Sequence, residues 1–193
     1  MGAGLCSGNT RKLKTMTQKD ALRWIKDNLS FVIKKSIEGT PYTEDWLAAM
    51  ACREVWILII RYAPTRRPAE MHPLMKGDYG QREGESKKQY HGFGYMQIDI
   101  GSYPDFVNSG DWKEPQKCFD KAVSVLNEKR AYITRKFPNL SGAALEDAIT
   151  AAYNCGEGNV EKNLRKGKDV DSSTHGKDYS KDVRRIREMY LTL

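Results

Sequence analysis

The sequence predicts a mainly helical fold with a small sheet or hairpin near its middle. Two observations carry this. Apolar residues recur at intervals of three and four along most of the chain, the spacing that lines one face of a helix. The longest departure from that rhythm runs from Ala63 to Asp99, where Pro64, Pro68, Pro73 and several glycines interrupt it. With 193 residues, the chain suits one domain with a substantial core.

Residues 1–16 are small, polar and basic and read as a flexible N-terminal arm; residues 17–193 read as one domain. The opening Met1-Gly2-Ala3-Gly4-Leu5-Cys6 lacks the basic start and apolar core of a signal peptide. It also places a cysteine where an acylation motif needs Ser or Thr. Thr17 is suited to cap a first helix, with Asp20 in its first turn and Leu22, Ile25, Leu29, Val32 and Ile33 on one face; Gly39 ends it. Thr43 is placed to cap a second helix, with Glu44 and Asp45 at its positive end.

From Ala63 to His91 the chain turns basic, with Arg66, Arg67, Lys76, Arg82, Lys87 and Lys88. This stretch is expected to be a long functional or mobile loop, with a weakly signalled hairpin inside it. Gly92-Phe93-Gly94-Tyr95-Met96-Gln97-Ile98-Asp99 is too short to assign, and its glycines suggest close backbone approach. A polar connector holds Pro104, Gly110 and Pro115. A long helix from about Gln116 to Phe137 follows, then one that begins at Ser141 and ends at the turn Asn154-Cys155-Gly156-Glu157-Gly158. Val160 and Leu164 mark a short helix, residues 167–177 a polar loop, and Tyr179 to Met189 a last helix.

The second helix stands apart. Trp46 to Ile60 is almost wholly apolar and carries one acid, Glu54. On a helix, Leu47, Met50, Ala51, Glu54 and Leu58 share a stripe, so the carboxyl interrupts a core-facing surface. Apolar surroundings disfavour its charge and raise its pKa, which leaves it able to donate a proton near neutral pH. Pairing with Arg53 or a distant cation is the structural alternative. A net charge of +7 suits a polyanionic partner. The basic residues are interleaved with acids and accompany no nucleic-acid motif, so nucleic acid is not expected as the partner. The apolar run near Ile57 is too short and too charged for stable membrane insertion. Cys6, Cys52, Cys118 and Cys155 form no metal-ligand pattern, and a Cys52–Cys155 bridge is allowed but not called for.

Four segments then resemble one family in order. The helix carrying Arg53-Glu54 looks like the catalytic-Glu helix of goose-type lysozymes and the related soluble lytic transglycosylases. Gly92 to Asp99 resembles their G-x-G-L-M-Q-[IV]-D segment, Ala152-Tyr153-Asn154-Cys155-Gly156-Glu157-Gly158-Asn159-Val160 their A-Y-N-A-G-x-G-N-V turn, and Tyr179-Ser180-Lys181-Asp182-Val183 their Y-x-x-D-V opening. The resemblance covers roughly Thr43 to Tyr190. It implies a lysozyme-like α+β fold with the β region beside a substrate cleft, over residues 17–193.

It also implies cleavage of the β-1,4 bond between N-acetylmuramic acid and N-acetylglucosamine in peptidoglycan glycan strands. Glu54 would be the general acid and Asp99 the base for water, while Gln97, Tyr153, Tyr179 and Asn154 would line the sugar site. No metal and no organic cofactor is expected. A monomer acting in the periplasm or outside the cell, open to a protein inhibitor, follows from the same resemblance. Lytic transglycosylases generally lack the acid at the Asp99 position, so a transglycosylase outcome stays open, as does a non-catalytic wall-binding module. One departure bears on water activation. A further acid that goose-type members carry shortly before G-x-G is replaced here by Lys87-Lys88 in a longer loop. Asp78, Glu83 and Glu85 are the acids near enough in sequence to stand in.

Overall fold

Thr17 starts the first helix by a reciprocal cap: its hydroxyl accepts from the Asp20 N–H, and the Asp20 carboxylate accepts from the Thr17 N–H. The structure, a computed structural model, describes residues 16–193; the expected arm lies outside the described residues apart from Met16, and so does Cys6. Helix α1 spans Gln18–Ile37 and α2 spans Glu44–Tyr62. Thr43 precedes α2 in extended conformation, yet its hydroxyl caps no backbone N–H, contrary to expectation. The acids of that first turn serve instead as tertiary anchors. Glu44 accepts from Tyr190, and Asp45 pairs with Arg187 at 2.8 Å.

Leu47, Ala48, Ala49, Met50, Ala51 and Cys52 are all fully buried, so the first half of α2 is enclosed on every side. Three alanines among them let neighbouring helices approach closely. Each larger chain here contributes about 1.5–3 kcal/mol through burial. α2 packs between α1 and the last helix, α8, Tyr179–Leu191. Around them lie α5 (Pro115–Lys136), α6 (Gly142–Cys155) and α7 (Glu157–Arg165), in register with the sequence pattern, and one continuous core joins them. Among the described residues no helix is long and apolar enough to cross a membrane.

The region from Ala63 to His91 departs from expectation. It is not a structureless loop. Pro68 opens a single helical turn, α3 (Pro68–Met71), at a position where its missing N–H costs nothing. A 3-10 turn, His72–Leu74, leads into β1 (Lys76–Gly80), which pairs antiparallel with β2 (Gln89–Phe93); β2 pairs in turn with β3 (Ile98–Asp99). The polar connector likewise contains a helix, α4 (Pro104–Ser109), closed by Gly110 in left-handed conformation. Residues 170–177 form two 3-10 turns.

The hairpin turn is closed by a buried histidine. His91 is 1% exposed. Its Nδ1 lies 2.8 Å from the Asp78 carbonyl and its Nε2 lies 2.8 Å from Glu85 Oε1. Both partners only accept, so both ring nitrogens carry protons. Burial opposes that charge, but the bonds to Asp78 and Glu85 outweigh it and raise the pKa. Cys52, Cys118 and Cys155 are free thiols, so the Cys52–Cys155 bridge is absent.

Candidate active site

A cleft of about 1040 Å³ runs between the helices and the small sheet. Glu54, Gln97, Asp99, Tyr153, Asn154 and Tyr179 all line it, so the fold gathers every residue singled out by sequence. They come from five places: Glu54 from α2, Tyr153 and Asn154 from the end of α6, Tyr179 from the start of α8, Gln97 from the turn between β2 and β3, and Asp99 from β3.

Glu54 is half-buried, at the point where the apolar stripe of α2 opens into the cleft. Burial pushes its carboxyl up to about 7, against a hydrogen bond from Tyr179 and the charge of Arg53, which both lower it. Arg53 does not neutralise it directly. The guanidinium turns away to Asp182 at 3.0 Å and Asp178 at 3.4 Å. Tyr179, 2% exposed, donates its hydroxyl to Glu54 Oε1.

The tyrosine is itself held by a residue that sequence reasoning passed over. Asp171 is fully buried and accepts from the Ser180 N–H at 3.0 Å and the Ser180 hydroxyl at 2.7 Å. A carboxylate there satisfies the open N–H groups at the first turn of α8, beside Tyr179. Nothing local in the 167–177 segment announces this, because the bond closes only when the turn folds back.

Gln97 occupies a tight turn. Its backbone has φ of 47°, unusual for a residue with a side chain, and its Nε2 donates to the Gly94 carbonyl at 2.8 Å. The amide lies over Gly77 and Gly92, which face each other across β1 and β2. A Cβ on either would fall 2.2 or 2.5 Å from Gln97 Oε1. Gly94, at φ of 77°, is closed in by Cys118 and Trp112 and ends the strand where only glycine fits. Tyr95, Met96 and Ile98 of the same segment face the core.

Two of the matched side chains are engaged within the protein. The Tyr153 hydroxyl donates to the Met96 carbonyl at 2.7 Å and ties α6 to the sheet. Asn154 Oδ1 accepts from the His175 N–H at 3.0 Å and holds the following turns in place. The Tyr153 ring and the remaining amide atoms are what they present to the cleft.

Asp99 sits in a polar environment. Its Oδ1 accepts from the Ser102 N–H at 2.8 Å and its Oδ2 from Arg82 Nη1 at 2.6 Å. Burial raises its pKa, but the bonds from Arg82 and Ser102 and the charge of Arg82 outweigh that and lower it. Arg82 also grips Asp78 at 2.7 Å. Of the three acids that could stand in for the missing one, Asp78 lines the cleft, while Glu85 is committed to His91. The role of Arg82 came to light only in the structure, since it lies in the β1–β2 connection and its partner Asp99 is on β3. Among the described residues no three His, Cys, Asp or Glu side chains converge as a metal site.

The sequence matches a known family over more than half of the chain. The family model for lysozyme g matches residues 77–191. The chain belongs to the lysozyme g family. The match takes in the sheet, α6 and α8, and so covers Gln97, Asp99, Tyr153, Asn154 and Tyr179; Glu54 lies ahead of it on α2. Among curated relatives, lysozyme g of Takifugu rubripes is 38% identical over 128 residues, which cover 61% of this chain and 65% of that protein. Lysozyme g of Epinephelus coioides is 30% identical over 117 residues, covering 60% of this chain and 56% of that protein. The chain thus spans less than two thirds of the length of either relative.

Proposed function

We propose that this protein is a muramidase that cleaves the β-1,4 bond between N-acetylmuramic acid and N-acetylglucosamine in peptidoglycan. The observation that carries the reading is Glu54. It is a carboxyl in a cleft of the lysozyme g family, held protonated toward neutral pH by burial and aimed by a tyrosine hydroxyl. Glu54 donates its proton to the glycosidic oxygen as the C–O bond breaks, and positive charge develops at the anomeric carbon. Asp99, ionised through Arg82 and Ser102, takes a proton from water as the water oxygen bonds to that carbon. Gln97 and the Tyr153 ring contact the sugars, Tyr179 orients Glu54, and Asn154 supports the wall. The protein acts on cell-wall glycan, outside the cytoplasm.

One observation favours a second outcome. Arg82 occupies Asp99 and lowers its pKa, which makes it a weak base. A lytic transglycosylase needs no such base, because the sugar's own hydroxyl closes on the anomeric carbon. Digestion of purified peptidoglycan with mass analysis of the products separates the two. Reducing ends are expected; 1,6-anhydro ends alone overturn the hydrolytic version. Full activity in Glu54→Gln overturns the mechanism, and binding without any product release favours a non-catalytic module.

A further inference from the structure

Five large apolar side chains stand out as exposed among the described residues: Phe31, Ile57, Tyr79, Tyr90 and Leu191. Three of them lie along one line of grooves. Ile57 lines the cleft, and Tyr79 and Tyr90 line a second groove of about 410 Å³. The two grooves adjoin, since Leu58, Gly77 and Asp78 border both. Along α2, Glu54 stands in the first groove and Arg61 in the second. Seven residues of helix separate them, or about 10 Å along the axis. A polymer that leaves the cleft in this direction passes over the hairpin.

We infer that the Tyr79–Tyr90 face of the hairpin is an additional sugar-binding platform that extends the cleft along the glycan strand. Tyr79 and Tyr90 are direct partners across β1 and β2, and their rings are 4.8 Å apart. They are 62% and 41% exposed and together present an aromatic surface beside the cleft. A pyranose ring has one face of C–H groups and a rim of hydroxyls. It matches a tyrosine, which offers an apolar face and a polar tip.

The flanking charge also suits this occupant. Arg61 and Lys76 border the groove, and the Lys76 ammonium lies 5.8 Å from the Tyr90 ring centre and 5.5 Å from that of Trp112. They are placed for the carboxylates that hang from a peptidoglycan strand. The platform is pre-organised, because the His91–Glu85 bridge and the Gln81 amide bond to the Glu85 carbonyl pin the hairpin turn. A rigid aromatic face binds a flexible polymer with less ordering cost.

The inference rests on the glycan-cleaving reading, and the test keeps the two apart by measuring binding in an inactive background. The Glu54→Gln protein is titrated calorimetrically with peptide-free glycan strands of increasing length. Affinity is expected to rise with strand length. Replacing both tyrosines by valine keeps β-propensity but removes the rings. That pair is expected to bind long strands about five- to tenfold more weakly and to lose the length dependence. A phenylalanine pair should keep both. Unchanged binding by the valine pair overturns the platform and leaves the tyrosines a cross-strand hairpin support. So does a parent whose affinity ignores length. If the parent binds in this length-dependent way but the wild-type protein releases no products, the enzymatic reading fails and the platform stands.

Discussion

The two walls of the cleft treat the same functional group in opposite ways. On the helical wall, Glu54 emerges from a stretch of α2 that is enclosed by apolar side chains, and its pKa is raised to about 7. On the sheet wall, Asp99 is half-buried and clamped by Arg82 and Ser102, and its pKa is lowered. Burial works in the same direction on both. What differs is whether a full positive charge is bonded to the oxygen. Glu54 has a neutral hydroxyl and a guanidinium turned toward other acids, whereas Asp99 has a guanidinium at 2.6 Å. Two carboxyls whose environments push their pKa values apart are the arrangement that acid and base catalysis requires.

The largest expected effect comes from abolishing the contrast. Glu54→Gln should cut turnover of peptidoglycan by about 10²- to 10⁴-fold, measured as reducing-end release. The same variant bears on stability. The folded pKa of about 7 exceeds the ordinary 4.5, so folding is most favourable below about 4.5 and weakens as pH rises toward 7. The ionised carboxylate therefore costs stability above pH 7, on the order of 3 kcal/mol before solvent screening is allowed for. Thermal unfolding at pH 8–9 should show Glu54→Gln more stable than the wild-type protein, with the advantage gone at pH 4.

Tyr179→Phe sharpens the contrast further. It removes a bond that favours the charged form, so the Glu54 pKa should climb above its present value and the alkaline limb of the pH–rate profile should move up. Loss of orientation should also lower kcat about 10- to 100-fold. An alkaline limb that moves down would show that the hydroxyl supports the neutral acid instead.

Arg82→Gln blurs the contrast from the other wall. Without the guanidinium, Asp99 should titrate nearer its ordinary carboxylate value, and the acid limb should shift upward. If the acid limb stays in place, Asp99 is not the group that sets it. The smallest effect is expected at the sheet. Gly92→Ala puts a Cβ against the Gln97 amide and should raise KM on the order of fivefold while changing stability by about 1 kcal/mol. Steady-state kinetics and chemical denaturation measure the two separately.

Much of the helical wall was legible from residue order alone. The apolar periodicity placed α1, α2, α5, α6 and α8, and the same periodicity exposed Glu54 as an acid on a buried stripe. The sheet wall was far less legible. Lys76-Gly77-Asp78-Tyr79-Gly80 and Gln89-Tyr90-His91-Gly92-Phe93 show no alternation of apolar and polar residues, because β1 and β2 are stabilised by their ladder, the Gln97 amide and the His91–Glu85 bridge. Thr43 misled in the other direction. Its sequence position suits a cap, yet its hydroxyl bonds the Asp45 side chain rather than a backbone N–H.

By itself, then, the sequence determined the helical frame and the candidate acid, since helix periodicity and the burial of one face are local properties that a stretch of 15 to 20 residues carries within itself. Only the tertiary structure decided the electrostatics of the cleft. The Tyr179–Glu54 bond, the Arg82–Asp99 pair and the Asp171 anchor join residues 125, 17 and 9 positions apart, all brought together by folding. A pKa depends on which charges and dipoles end up within a few ångströms, and that distance is set by packing rather than by order along the chain.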